Sequence, residues 1–378
     1  MANPGPEPAV MPAQDYRSIL VVVTRRIGDV FLTGALLRSL RRAWPRARLG
    51  LLVFEGTEGV ARTHADVTEI IVVPERASLA VNLAMIRRLW RTYDLALSTS
   101  PSDRPTLYAW AAGRRSLGVM DTGAKYFWKR LLLTQTVPYE PHSIHALVQN
   151  LRLAEALGIS CSHELPVSWS AADEARLRGL FPGHADARYA VLHAYPQFRY
   201  KMWTEEGWRR LAERLAEQGL TVVLSGGPGP EEAAYVEAIF PAGKAGVLNL
   251  VGKLAFPEIA ALIARAVVYV GPDTATTHLA AATGTPTVAL FGPSNPVRWG
   301  PWPRVWTGEP SPYAMRGSQV RGNVALVQGE EICVPCLEEG CFRHVQSPSE
   351  CLRAMTPERV IGAIETLLRN QASGTPPR

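Results

Sequence analysis

The sequence contains no apolar run long enough to cross a membrane as a helix, which takes about 20 residues. Its longest apolar runs, at residues 18–23 and 266–271, have the length of strands. The N-terminal residues MANPGPEPAVMPAQD carry no positive charge ahead of an apolar stretch, as a secretory signal would. We therefore expect a cytoplasmic protein.

Two motifs of nucleotide-binding proteins are also missing. No Asp-X-Asp pair occurs that could hold a metal on a nucleotide diphosphate. The segment SGGPGPEE at residues 225–232 lacks the Lys-Ser/Thr ending of a P-loop, so we interpret it as a turn. Neutralising a leaving diphosphate would then depend on Lys201, threonine hydroxyls and a helix dipole, with no cofactor required for catalysis. A solvated lysine is the structural alternative for Lys201.

The formal net charge of +6 over 378 residues is unevenly distributed. Residues 1–150 contain 19 Lys and Arg against 12 Asp and Glu, whereas the remaining residues contain 21 against 22. This asymmetry indicates an anionic partner for the first part, such as a phosphorylated glycolipid, a membrane surface or nucleic acid. A solvated arginine-rich surface explains the same numbers without a partner.

Strand-like apolar segments alternate with helical patterns along two stretches of the chain, which predicts α/β structure with parallel sheets and right-handed crossovers. The predicted strands are residues 18–24, 48–54, 69–73, 95–98, 189–193, 221–225, 247–249, 266–270 and 287–291. Residues 105–140 carry no clear pattern. Ligands of such folds bind beyond the carboxyl ends of the strands, and with two domains the natural site is the cleft between them.

The domain organisation follows from this alternation. We predict two Rossmann-like domains between a disordered lead-in and a C-terminal helix, for which packing back on the N-terminal domain is one expectation. The predicted bounds are 1–16 for the lead-in, 17–175 and 186–350 for the domains, and 351–370 for the helix.

The loop after the first strand, TRRIGDV at residues 24–30, carries the candidate catalytic group. Asp29 falls where a helix N-cap would, and Gly28 would allow a sharp turn. The functional alternative is that the Asp29 carboxylate takes a proton from a bound hydroxyl at the edge of the sheet. Arg25 and Arg26, together with Gly28, are the other candidate site residues of this loop.

The segment VGPDTATTHLAAATGTP at residues 270–286 lies between two apolar strands and starts a helix. Asp273 or Thr274 is placed to cap that helix. Hydroxyls and backbone N–H groups then crowd its first turn, which suits a diphosphate. His278 could add a donor, although a lone His is more often structural. The hydroxyls belong to Thr274, Thr276 and Thr277.

The cysteines are an isolated Cys161 and a cluster with the spacing C-x2-C-x4-C-x9-C. A disulfide framework is disfavoured in the cytoplasm, and four thiolates within 19 residues could close a structural zinc or iron site. The spacing is not a common zinc-finger spacing, so a metal, free thiols and a disulfide all stay open. The cluster consists of Cys333, Cys336, Cys341 and Cys351.

Four segments, in order, resemble the signatures of glycosyltransferase family 9, the ADP-heptose:lipopolysaccharide heptosyltransferases. They are RRIGDVFLTGALLRSLRRAWPRARLGLLV, KMWTEEGWRRLAERL, LVGKLAFPEIAALIARA and PDTATTHLAAATGTPTVALFGPSNPVRWGPW. The resemblance covers roughly residues 18–365. It implies an α/β fold of the GT-B type, with two doubly wound Rossmann-like domains whose parallel sheets face a central cleft. The resemblance makes the N-terminal domain the acceptor-binding domain, with Arg25, Arg26 and Gly28 on the acceptor side, and the C-terminal domain the ADP-sugar-binding domain.

The resemblance also implies roles for individual residues. Asp29 matches the family's proposed catalytic base, and Lys201 matches the lysine that meets the nucleotide diphosphate. Many members have Gly where this sequence has Ala275, and a subset has a similar cysteine cluster for which a structural metal has been proposed. The remaining ADP-sugar positions are Asp273, Thr274 and His278 of the loop D-[ST]-x-x-x-H, Thr276 and Thr277 as neighbours in it, Leu254 as an apolar contact to adenine, and Glu231 as a candidate ribose contact.

The implied activity is the inverting transfer of heptose from ADP-heptose to a hydroxyl of the lipopolysaccharide inner core. The implied acceptor is a lipid A–core oligosaccharide, the expected location is the cytoplasmic face of the inner membrane, and no nucleic-acid partner is expected. A protein acceptor or another sugar donor stays open. Less favoured alternatives are a nucleotide-sugar 2-epimerase, from which the WTEEGW motif points away, and a protein that binds anionic surfaces through AKYFWKR at residues 124–130.

Overall fold

The structure is a computed structural model that describes residues 14–121 and 123–372. The chain divides into two compact units, Met1–Pro166 and Val167–Arg378. Most of the predicted disordered lead-in, residues 1–13, lies outside the described residues. Within the described part, no helix combines the length and the apolar composition that a membrane crossing requires.

The described residues of the first unit form a six-stranded sheet and the helices that flank it. Its strands are β1 (Ser18–Val23), β2 (Arg48–Phe54), β3 (Glu69–Val73), β4 (Tyr93–Ser98), β5 (Gly113–Met120) and β6 (Gln135–Pro138). Its helices are α1 (Ile27–Leu32), α2 (Gly34–Ala43), α3 (Glu58–Ala61), α4 (Leu79–Leu89), α5 (Asp103–Ala112), α6 (Phe127–Leu132) and α7 (Ala146–Ala156).

All neighbouring strands of this sheet are parallel, in the order β3-β2-β1-β4-β5-β6. Strand β1 is buried from its second residue onward, as its continuous apolar sequence requires of a strand covered on both faces. The chain crosses from β3 back to β4 on the other side of β1. Doubly wound folds bind ligands at such a reversal, so the edge beyond β1 and β4 is the place for a site.

The second unit contains a seven-stranded sheet. Its strands are β7 (Tyr189–Leu192), β8 (Thr221–Leu224), β9 (Val247–Asn249), β10 (Val268–Pro272), β11 (Thr287–Phe291), β12 (Gln319–Arg321) and β13 (Val324–Gln328). Its helices are α8 (Ala171–Leu180), α9 (Glu205–Glu217), α10 (Pro230–Ile239), α11 (Phe256–Ala264), α12 (Ala275–Thr283), α13 (Pro296–Trp299), α14 (Glu350–Arg353) and α15 (Pro357–Ala372).

This second sheet is parallel except for β12, which pairs antiparallel with β13 at one edge. Its order is β12-β13-β11-β10-β7-β8-β9, so the chain reverses direction across the sheet between β7 and β10. The carboxyl ends of these two neighbouring strands therefore mark the ligand-binding crevice of the second unit.

The first and last long helices of the second unit both pack on elements of that unit. Helix α8 packs on α11, and Arg176 Nε lies 2.9 Å from a carboxylate oxygen of the buried Glu258. The boundary between the units therefore precedes α8, whereas the sequence placed residues up to 175 in the N-terminal domain. Helix α15 packs on α9, β11 and β13 of its own unit, through an apolar face that includes Val360, Ile364 and Leu367. These contacts attach α15 to the sheet of its own unit.

Candidate active site

A buried ion pair lies at the reversal point of the second sheet. Lys201 ends the short 3-10 turn Arg199–Lys201 that follows β7, and Asp273 directly follows β10. Lys201 Nζ lies 2.6 Å from Asp273 Oδ2 and donates a longer hydrogen bond of 3.3 Å to the Asp273 carbonyl oxygen. Two residues predicted from separate motifs are therefore brought together at the carboxyl edge of adjacent strands.

The charges around this pair allow the Lys201 ammonium to bind an anion while it stays paired with Asp273. Burial alone would raise the pKa of Asp273, whose side chain is 8% exposed, but Lys201, His278 and the Ser294 hydroxyl lower that pKa below its ordinary value. Asp273 is therefore an ionised partner for the ammonium. Because an ammonium has three N–H donors, Lys201 can keep its bond to Asp273 and still donate to a phosphate oxygen.

Helix α12 begins immediately beyond Asp273 and points its N-terminus at the same edge. Thr274 occupies the N-cap position without a side-chain capping bond to the backbone. The first N–H groups of any helix have no acceptor within that helix, and they carry the positive end of its dipole. This end of α12 thus has the donors and the field that a diphosphate requires.

His278 is a neutral donor or acceptor buried in this helix. Burial lowers its pKa to about 4, with Lys201 acting in the same direction and Asp273 opposing. Nδ1 of His278, a residue only 3% exposed, has no hydrogen-bond partner among the described residues. A buried polar atom without a partner is costly, so this ring supports the ligand-binding interpretation over the structural one that the sequence favoured.

The threonines of α12 divide into two roles. Thr277 is fully buried, and its hydroxyl donates to the Pro272 carbonyl oxygen at 2.5 Å while Tyr269 and Thr274 lie at 3.1 and 3.2 Å. With its only proton used inside the protein, Thr277 fixes the start of the helix, which argues against the predicted contact with ADP. Thr276 is also buried, so Thr274 is the residue of the three that stays at the helix end.

Two glutamates follow β8, and the structure places their side chains differently. The predicted Glu231 is exposed and accepts a hydrogen bond from the Tyr195 hydroxyl at 3.3 Å. Glu232 instead packs over Gly226, where a Cβ would collide with its carboxylate. Its Oε1 is buried without a hydrogen-bond partner among the described residues. The doubled Glu at the start of α10 was the available signal, since one of two consecutive helical residues can face inward.

The pH dependence of stability tests this placement of Glu232. Burial raises its pKa to about 7, partly opposed by the Gly227 N–H. A carboxyl group whose folded pKa is raised stabilises the fold below its unfolded pKa and loses that contribution as pH rises through the folded value. We expect Glu232→Gln to leave the free energy of unfolding nearly unchanged at about pH 4.5 and to raise it above about pH 7, measured by urea titration. Glu231→Gln is the control and should follow the wild type at every pH.

Leu254, the predicted adenine contact, is buried just beyond the turn that follows β9. The Gly252 N–H donates to the Gly226 carbonyl at 3.2 Å, which joins this turn to the loop after β8. Leu254 and Glu232 therefore belong to neighbouring loops at the same edge of the sheet, as an adenosine site would require.

In the first unit, Asp29 lies beyond β1 at the reversal point of that sheet. It occupies the first turn of α1, and Arg26 takes the N-cap position, so the capping role predicted for Asp29 is wrong. Arg25 Nε lies 3.7 Å from Asp29 Oδ1, and the Asp29 side chain is 24% exposed. A partly exposed carboxylate beside a guanidinium can accept a proton from an approaching hydroxyl.

The other predicted residues of this loop are arranged around α1. Arg26 is exposed and Arg25 is half-buried, so both cations are accessible on the edge that carries Asp29. Gly28 is the second residue of α1 and adopts helical structure, so the sharp turn predicted there does not form.

His64 supports α1 from the core side and was not found from the sequence. Its Nε2 forms a 3.0 Å hydrogen bond with the Val30 carbonyl, and its ring stacks on Phe31. Burial lowers the pKa of His64 to about 4, so the ring is neutral at neutral pH. A Cβ at Gly34 would press on this ring, which explains a glycine at the first residue of α2. A buried His next to the helix that carries Asp29 has no distinctive sequence spacing.

The four clustered cysteines lie in the loops before and within α14. Burial raises the pKa of Cys351 to about 12, and the neighbouring thiols of Cys336, Cys333 and Cys341 act in the same direction. All five cysteines of the chain are free thiols. Among the described residues, no group of three or more His, Cys, Asp or Glu side chains is placed to hold a metal ion. The thiols are thus neighbours without forming a metal site in this arrangement.

Comparisons with known proteins identify the family of the chain. The family model "Glycosyltransferase family 9 (heptosyltransferase)" matches residues 82–310. Lipopolysaccharide heptosyltransferase 3 of Escherichia coli (strain K12) is 26% identical over 286 residues, which are 73% of this chain and 82% of that protein.

Two solved structures share the fold. A family 9 glycosyltransferase from Veillonella parvula has a TM-score of 0.75 at 20% identity, covering 94% of this chain and 98% of its own. The E. coli heptosyltransferase WaaC, solved with ADP, has a TM-score of 0.69 at 23% identity, covering 93% and 99%. The predicted GT-B fold is confirmed.

Proposed function

The chain belongs to glycosyltransferase family 9, and from this premise we propose that it transfers heptose from ADP-heptose to a hydroxyl of the lipopolysaccharide inner core. The observation that carries the proposal is the Lys201–Asp273 pair at the N-terminus of α12. That arrangement offers a diphosphate one ammonium, the N–H groups of a helix end and the uncommitted ring nitrogen of His278. The names of the relatives support heptose as the sugar and lipopolysaccharide as the acceptor.

The donor half of the proposal concerns the leaving group. ADP departs with negative charge on its diphosphate, and charge that develops in the transition state is stabilised by donors already in place. Lys201 and the α12 N-terminus would serve this role, with Glu232 toward the ribose hydroxyls and Leu254 toward adenine. These groups supply the positive charge themselves, so we propose that no cofactor is required for catalysis.

The acceptor half assigns Asp29 as general base. The acceptor hydroxyl gives its proton to the Asp29 carboxylate as its oxygen attacks the anomeric carbon from the face opposite ADP. One C–O bond to the acceptor forms, the C–O bond to the diphosphate breaks, and the configuration inverts. Arg25 holds the carboxylate, and the positive charge of Arg25 and Arg26 favours an anionic acceptor near the base.

An ADP-release assay tests the proposal. Purified protein is incubated with ADP-heptose, with and without a heptose-deficient lipopolysaccharide core. Release that depends on the core is the expected result. Release that is equal in both reactions would indicate a donor hydrolase, and the same assay with a protein acceptor or another ADP-sugar distinguishes the alternatives within the family.

We also propose that α6 makes the peripheral contact of the first unit with an anionic membrane surface. Phe127 and Leu131 lie one helical turn apart and are 65% and 79% exposed. Lys125 and Arg130 are exposed beside them. Apolar side chains flanked by cations are the pattern that binds the headgroup layer of anionic lipids.

Vesicle sedimentation tests this contact. We expect the double variant Phe127→Ala/Leu131→Ala to bind vesicles of phosphatidylglycerol and phosphatidylcholine about 100-fold more weakly than the wild type, since each of the two buried apolar side chains contributes about 1.5 kcal/mol or more and about 1.4 kcal/mol is tenfold in affinity. The matched control is Val305→Ala, which removes an equally exposed apolar side chain from the second unit. Equal binding by the wild type and the α6 variant would contradict the proposal.

For the cysteine cluster we propose that a structural zinc or iron ion, when bound, draws the four thiols into one site; the electrostatic effect of the other three thiols on Cys351 supports this. Mass spectrometry of metals in protein purified without chelator should find about one such ion per chain, since four thiolates make a closed structural site. Cys336→Ser should remove it, and Cys161→Ser should not. Metal-free wild-type protein with titratable thiols would establish free cysteines instead.

A further inference from the structure

We propose that a pocket of the first unit, between the loop after β4 and the segment that precedes α6, binds an anionic sugar. The pocket has a volume of about 540 Å³, within the usual size of small-molecule sites. The binding of an anionic sugar does not depend on the proposed function. Only the assignment of that sugar to the acceptor rests on the proposed function. The lining residues are Pro101, Ser102, Asp103, Lys125, Tyr126 and Trp128.

The walls of this pocket are held together by a buried lysine. Lys129 is 1% exposed, and its Nζ lies 2.7 Å from Asp103 Oδ1 and also donates to the Pro101 carbonyl oxygen. The same ammonium lies 4.9 Å from the ring centre of Tyr126 and 5.3 Å from that of Trp128. Burying an ammonium is costly unless it is fully paired, so these contacts fix α6 against the loop after β4. The walls of the pocket are therefore held in a fixed arrangement.

The chemistry of the lining fits a sugar better than a bare anion. The Trp128 ring offers a flat apolar surface on which the C–H face of a pyranose ring can pack, and Tyr126 adds a hydroxyl group to the lining. Asp103 is largely exposed and keeps carboxylate lone pairs for sugar hydroxyls beyond its bond to Lys129. An inorganic anion would gain nothing from the rings and would be repelled by this carboxylate.

The charge of the lining calls for an anionic substituent on that sugar. Lys129 is neutralised by Asp103, which leaves the ammonium of Lys125 as the charge that distinguishes the pocket. Lys125 Nζ lies over the face of the Tyr126 ring, 4.9 Å from its centre. A phosphate or carboxylate on the sugar would pair with Lys125 while the sugar ring packs on Trp128.

The pocket lies on the edge of the sheet that carries Asp29. The loop 99–102 follows β4, the segment 123–126 lies beyond β5, and Asp29 follows β1, and these three strands are consecutive neighbours in the parallel sheet. Adjacent strands are about 4.8 Å apart, so the pocket is within one or two strand spacings of the edge beyond β1. A sugar held there would be an anionic residue of the acceptor next to the one that presents the reacting hydroxyl.

Saturation-transfer NMR on the full chain tests the binding without requiring activity. Glucose 6-phosphate, glucose and inorganic phosphate are the probes, with ADP at saturation to occupy the donor site. Glucose 6-phosphate should receive saturation from the wild type, and Lys125→Met and Trp128→Ala should each reduce the signal about threefold or more, as expected for loss of a charged or aromatic contact. Phe127→Ala and Arg130→Met are matched controls on the same helix, outside the pocket lining, and should keep it.

Three results would overturn the proposal. They are no transfer to glucose 6-phosphate from the wild type, an unchanged signal in Lys125→Met, and full displacement of the sugar by an equal concentration of inorganic phosphate. Lys125 is exposed, so Lys125→Met is expected to fold. It therefore tests the pocket even where Trp128→Ala fails to fold.

The link to the acceptor is tested separately with a delipidated core oligosaccharide. Lys125→Met should raise the KM for the core about fivefold or more, as expected for loss of a charge-assisted contact, and leave kcat and the KM for ADP-heptose unchanged. An unchanged KM for the core would show that the pocket does not bind the acceptor. Absence of core-dependent ADP release from the wild type would instead be a failure of the proposed function and would leave the NMR result standing.

Discussion

Replacing Asp29 with Asn is expected to lower kcat by about 10²- to 10⁴-fold, the usual contribution of a positioned general base. The side chain keeps its shape and loses its ability to take a proton from the acceptor hydroxyl. Binding of ADP should be unchanged, because the groups assigned to the diphosphate are in the second unit. Steady-state kinetics with saturating acceptor and calorimetry with ADP measure the two quantities.

The matched control for Asp29→Asn is Glu155→Gln. Glu155 pairs with Arg152 at 2.7 Å on the surface of α7, and such surface pairs contribute at most about 1 kcal/mol. Its variant should keep kcat within about twofold of the wild type. A near-normal kcat in Asp29→Asn would show that another group is the base, and loss of ADP binding in it would show that Asp29 acts on the fold.

Replacing Lys201 with Met should weaken ADP binding by about 10- to 100-fold, the equivalent of one charge-assisted hydrogen bond. The same change leaves the buried Asp273 carboxylate without its cation, which should cost about 3 kcal/mol or more in the free energy of unfolding. The variant alone therefore mixes a binding effect with a stability effect.

The double variant Lys201→Met/Asp273→Asn separates these effects. With the buried charge removed, the free energy of unfolding should return toward the wild-type value, whereas ADP binding should stay weak. Lys244→Met is the lysine control, because Lys244 pairs with Glu213 at 3.4 Å on the surface of the same unit. Recovery of ADP affinity in the double variant would contradict direct contact between Lys201 and the diphosphate.

The parallel core was predictable because its strands are continuous apolar runs. Strands β2, β3, β9 and β11 begin and end at the predicted residues, and β1 ends one residue earlier. Asp29, Lys201 and Asp273 were found because each directly follows such a strand or its turn, and the carboxyl ends of parallel strands collect side chains at one edge. This argument does not depend on how many residues separate Asp29, Lys201 and Asp273 along the chain.

Residues 105–140 were unreadable for a physical reason. Strand β5 has the sequence GRRSLGVM, which contains charged and small residues and lacks the apolar run of a central strand. The pocket built by α5, α6 and these loops was therefore missed, although the alternation of aromatic and cationic residues in AKYFWKR was noticed. Which side chain is buried there depends on tertiary packing, as the buried Lys129 illustrates.

The orientation of individual side chains could not be predicted from the sequence either. Thr277 and Thr274 carry the same hydroxyl group. The folded geometry at the start of α12 decides that the Thr277 hydroxyl donates to the Pro272 carbonyl oxygen. Glu231 and Glu232 differ in the same way, since the first residue of α10 fixes which carboxylate faces Gly226. The packing of α15 likewise depends on the sheet that receives its apolar face.

The most direct measurement of the central claim is the mass of the acceptor after reaction. A heptose-deficient lipopolysaccharide core is incubated with ADP-heptose and the purified protein, and the core is analysed by mass spectrometry and by NMR of the new linkage. The account predicts a gain of one heptosyl residue, with the anomeric configuration inverted relative to the donor, in the wild type but not in Asp29→Asn. A core of unchanged mass in the presence of wild-type protein that binds ADP would contradict it.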